Sequence, residues 1–260
     1  MDALRREAKE TQVQHNNAMR SMRELVSRLF DGSGAYSART KSDIVLGGLD
    51  RRKFLQVGGL TVVSAAVLAA CSKSDNKAGG AAAGASTTVA AASLDVTILR
   101  TASSVEHLAV DVYNTAINSG LVKTAAIADA AKLFRDQHME HAALFEGATT
   151  KLGGKPFTTA NPAVMATLDP TIKALKDEKG VVQLAYNLES AAAATYFSTA
   201  GAFGDRTLNQ AAMSVGGVEA RHVAILAGVL STAFSTKTDQ VPAAGFQTKD
   251  GAVAAGTGVS

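Results

Sequence analysis

Between Leu94 and Thr232 the apolar positions fall into four long runs at helical spacing, each broken by glycine or proline, and they predict four long helices. The first runs from Leu94 to Asn118 and stops at Ser119-Gly120, a glycine placed where a helix C-terminus wants one. A second starts after Thr124 as N-cap and ends near Lys151, before Gly153-Gly154 and Pro156. Residues 153–178 hold three of the four prolines and are expected to form only short helical turns. The third helix spans about Gly180 to Ala202, and Asp205 caps a fourth that continues to about Thr232.

Short turns join the first helix to the second and the third to the fourth, while a long segment separates the second from the third. The expected fold is therefore all-α: an antiparallel four-helix bundle with one long crossover between the second and third helices.

Upstream the pattern changes twice. Val57 to Ala70 is a run of 14 mostly apolar residues, too short to span about 30 Å of hydrocarbon as a helix but suited to a signal segment. Ser72 to Ser93 is Ala, Gly, Ser and Thr with almost no large apolar side chain, so it cannot offset the entropy of ordering and is expected to be a flexible tether. The division expected is 1–71 leader, 72–93 tether, 94–232 helical bundle and 233–260 flexible tail. Residues 1–49 are a long lead-in, with an amphipathic helix indicated around Met22 to Phe30.

Charge sharpens this division. Residues 1–71 carry 11 Lys/Arg against 7 Asp/Glu, and residues 72–260 carry 15 against 16, so the net +3 is +4 from the leader and −1 from the rest. The basic excess thus lies outside the folded part, and nucleic acid is excluded as a partner because no basic face is available there.

Within the four predicted helices, ionisable residues sit among apolar neighbours at a telling spacing. They are Glu106 in the first, His138 and His141 in the second, Glu189 in the third, and Glu219 and His222 in the fourth. Residues three apart on a helix differ by about 60° and about 4.5 Å along the axis, so each pair can converge on one point. Val105, Ala109 and Val112 surround Glu106, and Ala191 to Ala194 crowd Glu189. A lone carboxylate buried on such a face costs several kcal/mol, whereas a cation shared by four helices satisfies all of them.

An internal repeat points the same way. Glu106 and Tyr113 are separated by seven residues, as are Glu189 and Tyr196; the offset between copies is 83 residues, and 81 between His141 and His222. A duplicated helical hairpin gives such offsets. Tyr113 and Tyr196 lie two turns from the glutamates, better placed to bond or pack beside a ligand than to bind a metal themselves.

These residues resemble the ferritin-like di-iron carboxylate superfamily, and more narrowly its exported, twin-arginine-tagged ferritin-like domain proteins. The resemblance implies a dinuclear metal centre of iron or manganese, with zinc also compatible, held by Glu106, His138, His141, Glu189, Glu219 and His222. It implies redox handling of oxygen, peroxide or ferrous iron, and assigns no catalytic residue. Where the family has the glutamate of the second helix's pair, this chain has His138, so the site carries one negative charge fewer. The alternative is a non-catalytic envelope bundle for metal sequestration or structural interaction. Asp50-Arg51-Arg52-Lys53-Phe54-Leu55-Gln56 resembles the twin-arginine motif, apart from Asp50 where Ser or Thr is usual. Leu68-Ala69-Ala70-Cys71 resembles a lipobox, which makes Cys71, the one cysteine, a lipidation point. Partners implied are the twin-arginine export machinery through Arg51 and Arg52, and a membrane through Cys71, at the cell envelope outside the cytoplasm. A homodimer is the assembly left open, and an uncleaved apolar anchor is the alternative to lipidation.

Overall fold

A computed structural model describes residues 2–30, 83–236 and 251–259, and among these every regular element is helical. The helices are α1 (Asp2–Phe30), α2 (Ala83–Asn118), α3 (Ala125–Lys151), α4 (Pro162–Lys173), α5 (Glu178–Ser198) and α6 (Arg206–Ala233). Helix α2 packs on α3 and on α5, α5 on α6, and α1 on both α6 and α3. Arg51, Arg52 and Cys71 lie outside the described residues.

The caps explain most boundaries. Asp205 accepts from the backbone N–H groups of Thr207 at 2.6 Å and Leu208 at 3.3 Å, which starts α6 as expected. Asp177 does the same for α5 through Gly180, two residues earlier than the spacing indicated. Thr124 occupies the N-cap of α3, but its side chain makes no capping bond. Instead Glu178 Oε1 accepts from the backbone N–H of Lys123 and Thr124, at 2.9 and 2.7 Å, and Oε2 accepts from the Thr124 hydroxyl at 2.8 Å. One carboxylate at the head of α5 thereby fixes the turn that joins α2 to α3.

Four expectations are corrected. Helix α2 begins at Ala83, inside the segment expected to be a tether, because alanine sustains a helix without large side chains. The crossover holds a 12-residue helix, α4, where only short turns were expected. Asn161 caps it by accepting from Val164 N–H, and Pro162 takes the first turn, where no N–H is needed. Helix α5 ends at Ser198 rather than near Ala202, its last turn passing into Gly201 at φ +76°.

The fourth correction concerns the tail. Residues 251–259 lie against the bundle: Val253 N–H donates to the Thr195 hydroxyl at 2.9 Å, Gly256 N–H to the Thr101 hydroxyl at 2.8 Å, and Val259 is buried. Buried Asn161 donates to the carbonyl of Thr257 and to the Ser104 hydroxyl, both at 2.8 Å, tying tail, crossover and α2 together. A sequence of Ala, Gly, Val and one Thr carries no periodicity, so these hydroxyl and amide partners give its backbone a place.

Two apolar clusters flank a polar middle. One gathers Leu99, Phe145, Phe203, Leu208 and Val215, with Met19 of α1. The other gathers Ile127, Phe134, Val182, Leu226 and Leu230, with Leu4 of α1. Each such side chain contributes about 1.5–3 kcal/mol by leaving water.

Candidate metal centre

Between the two clusters, α2, α3, α5 and α6 bring Glu106, His138, His141, Glu189, Glu219 and His222 to one buried point. None of the six is more than 1 % exposed. The spacing works as helix geometry requires: His138 and His141 share one face of α3, and Glu219 and His222 one face of α6, 3.0 Å apart at their nearest atoms.

His138 lies in the middle. Its Nδ1 is 2.6 Å from Glu106 Oε2 and its Nε2 is 3.0 Å from Glu189 Oε1. An ionised carboxylate only accepts, so in the metal-free chain this geometry favours a ring that donates from both nitrogens, an imidazolium. Burial opposes that charge, but Glu189, Glu219 and Glu106 together hold the His138 pKa well above the ordinary histidine range. His141 Nδ1 sits 2.9 Å from Glu219 and 3.5 Å from Glu106. Against the cost of burial, chiefly Glu219 lifts its pKa to about 9. His222 Nδ1 lies 3.2 Å from Glu189 and 3.0 Å from Glu219, and it too is raised, by Glu189 above all, against burial. The carboxylates respond in kind. Burial pushes Glu106 up, yet His138 brings it down to about 2, and His138 and His222 hold Glu189 well below the usual carboxylate range.

Both tyrosines bond glutamates, but crosswise. Tyr113 of α2 donates to Glu189 Oε1 of α5 at 2.5 Å, and Tyr196 of α5 donates to Glu106 Oε1 of α2. Burial first, and then the facing carboxylate, raises both phenols well above 10. Gly216 lets α6 approach α5 here, since a Cβ on it would sit 2.8 Å from Tyr196 Cβ.

The donor set fits a divalent cation. Two groups of four ligand atoms each lie within 4.8 Å of one another: Glu106, His138, His141 and Glu219, and His138, Glu189, Glu219 and His222. Glu219 and His138 belong to both. Neither oxygen of Glu219 makes an aligned hydrogen bond, nor does either nitrogen of His141, although all four atoms are buried. Buried polar atoms left without a partner are those that a cation would satisfy. Mixed carboxylate and imidazole donors suit iron, manganese or zinc.

Three residues in this region were not singled out by spacing: Gln137, Gln12 and His15. Gln137 accepts from His222 Nε2 at 2.6 Å and donates to Gln12 of α1 at 3.0 Å. His15 is fully buried, its ring centroid 5.1 Å from that of His141. Burial, reinforced by the neighbouring His141, lowers its pKa to about 4. The signal for His15 was the stripe Leu4, Thr11, His15 and Met19 at helical spacing in α1, a face too narrow to stand out from its polar surroundings, and neither Gln12 nor Gln137 had one. Glu140, beside His141, points outward to Arg23 at 2.5 Å, and His107 pairs with Glu146 at 2.5 Å, so neither joins the cluster.

A cavity of about 30 Å³ reaches the centre from one side. It touches His138 and Glu189 and is walled by Val105, Ala109, Val164 and Val253.

The ferritin-like domain family matches residues 94–232 of this chain. No curated protein and no solved structure matches it.

Proposed function

The chain belongs to the ferritin-like domain family, and on that premise we propose that its buried Glu/His cluster holds a centre of two iron or manganese ions for handling oxygen, peroxide or ferrous iron. The observation that carries the reading is the pair of overlapping four-donor groups sharing Glu219 and His138. Glu219, common to both, would serve both ions, Glu106 with His141 would hold one, and Glu189 with His222 the other. Bound metal would supply the redox and Lewis-acid chemistry that the side chains lack. Zinc fits the donors but not the redox role. The chain's own part is to fix the carboxylates through Tyr113 and Tyr196 and to exclude water with the two apolar clusters.

The topology that goes with this reading is an antiparallel four-helix bundle. The α2–α3 and α5–α6 connections are too short to run the length of a helix, whereas residues 152–177 can cross. For its setting we propose the cell envelope, on the twin-arginine-like Arg51-Arg52 and the lipobox-like Cys71.

One observation favours a second reading. With three imidazoliums facing three carboxylates the cluster is already neutral, and His138 spans two glutamates by itself. A structural bundle whose polar core pairs with itself would look the same. With neutral imidazoles and two divalent ions the sum is −3 + 4 = +1, so His138 makes the second ion harder to hold than a glutamate would.

The deciding experiment is metal content per chain, by inductively coupled plasma mass spectrometry, on the full chain purified without chelator. About two iron or manganese atoms per chain, lost in a Glu189→Ala, His222→Ala variant, is the expected result. A folded chain that takes up no metal leaves the self-paired core.

A further inference from the structure

We infer that α1 is part of the metal centre: His15, and Gln12 acting through Gln137, are positioning residues that hold His141 and His222 with Nδ1 turned toward the metals. The inference rests on the metal reading above.

A ligating imidazole offers one nitrogen to the metal and needs an acceptor for the N–H on the other, which fixes its tautomer and its orientation. In His222 Nδ1 faces Glu189 and Glu219, and Nε2 is 2.6 Å from Gln137 Oε1. Gln137 is itself oriented by its donation to Gln12 at 3.0 Å, and without that bond its amide could turn and present N–H groups to His222. His141 is arranged in parallel, its Nδ1 toward Glu219 and Glu106. Its Nε2 is buried with no aligned hydrogen bond, and the ring lying against it is that of His15, neither of whose nitrogens makes an aligned hydrogen bond. Two orphaned imidazoles with centroids 5.1 Å apart answer each other's need, one with an N–H and one with a lone pair. The histidine χ2 torsion is broad, and what is required is a turn of the His15 ring, 5.1 Å away by centroid, that aims one nitrogen at His141 Nε2.

The register of α1 makes this more than a chance approach. Leu4 enters the apolar cluster on one side of the centre and Met19 the cluster on the other. The turns between them then present Gln12 and His15 to the polar middle, and Arg23 binds Glu140 on the outside at 2.5 Å. Lipobox processing ahead of Cys71 would remove both positioning residues, so their role belongs to the unprocessed chain, and a chain starting at Cys71 is expected to hold metal as weakly as the variants below.

The test uses the full chain with cobalt(II) as the probe metal, affinity read by chelator competition and ligand geometry by the d–d absorption. His15→Phe keeps an aromatic ring, somewhat larger and without nitrogens, and Gln12→Ala trims a half-buried position. Each is expected to weaken cobalt binding about 10- to 100-fold and shift the d–d bands, while the thermal midpoint of the metal-free chain holds. His15→Gln, which restores an acceptor, recovers most of the affinity. Wild-type affinity and bands in both variants overturn the inference and leave the metal reading standing. A fall in affinity that only parallels a fall in metal-free stability also overturns it, since packing would then suffice. A wild-type chain that takes up no cobalt overturns both. If His15→Phe does not fold, Gln12→Ala decides.

Discussion

The Tyr113 hydroxyl donates to Glu189, 2.5 Å away on α5, and not to Glu106, which precedes it by two turns on its own helix. Tyr196 returns the contact to Glu106. The exchange follows from helix geometry: seven residues carry the ring about 10 Å along its own axis, out of reach of its own glutamate, while the facing helix brings the other into range.

Removing either hydroxyl leaves a buried carboxylate short of a donor. Tyr113→Phe and Tyr196→Phe should each cost about 1.5–3 kcal/mol in the metal-free chain, read from the midpoint of urea unfolding at constant slope. Metal stoichiometry should not change, because neither phenol is a ligand. A loss of bound metal would make the tyrosine a ligand and sink this assignment.

His138→Glu restores the Glu-x-x-His pair that di-iron bundles carry. It replaces the imidazolium between Glu106 and Glu189 with a fourth carboxylate. The metal-free chain should melt lower, since like charges then share one buried site, and the metal-loaded chain higher. Calorimetry with and without manganese checks the crossing of the two effects. A variant stabler than wild type in both states would mean that His138 is a packing residue.

Stability of the metal-free chain should peak at about pH 6, because the His15 pKa, lowered from 6.5 to about 4 chiefly by burial, makes its share complete above 6.5 and lost as pH falls through about 4. The His141 pKa is raised from 6.5 to about 9, so its contribution, on the order of 3 kcal/mol, is complete below 6.5 and is lost as pH rises through about 9. The Glu106 pKa is lowered from 4.5 to about 2, so its share is present above 4.5 and is lost as pH falls through about 2. Metal should flatten the alkaline limb, because it takes neutral imidazole, and steepen the acid limb, because protons compete with it. Denaturation midpoints from pH 3 to 9.5, with and without manganese, read both limbs.

The neighbouring glycines of α6 should behave oppositely. A Cβ on Gly216 meets Tyr196 Cβ at 2.8 Å, backbone-near and unable to yield, so Gly216→Ala should cost about 1–3 kcal/mol and disturb the Tyr196 bond to Glu106. On Gly217 the nearest atom is the end of Arg221 at 4.0 Å, so Gly217→Ala should stabilise by up to about 1 kcal/mol. Thermal melts of the two variants side by side settle the contrast.

Sequence alone determined which residues could meet. Three-residue spacing commits His138 with His141, and Glu219 with His222, to common faces, because helix geometry is local and set by the backbone. Glycine, proline and Asp205 marked helix ends for the same reason: each acts within a turn of itself. Tertiary structure decided what lies outside that range. The crossed tyrosines, the pinning of Thr124 by Glu178 and the return of residues 251–259 onto Thr101 and Thr195 join residues dozens to more than a hundred positions apart. So does the placing of Gln12 behind Gln137, across 125 residues. Such contacts are chosen by which faces remain unfilled once the helices pack, and no periodicity within one segment records that.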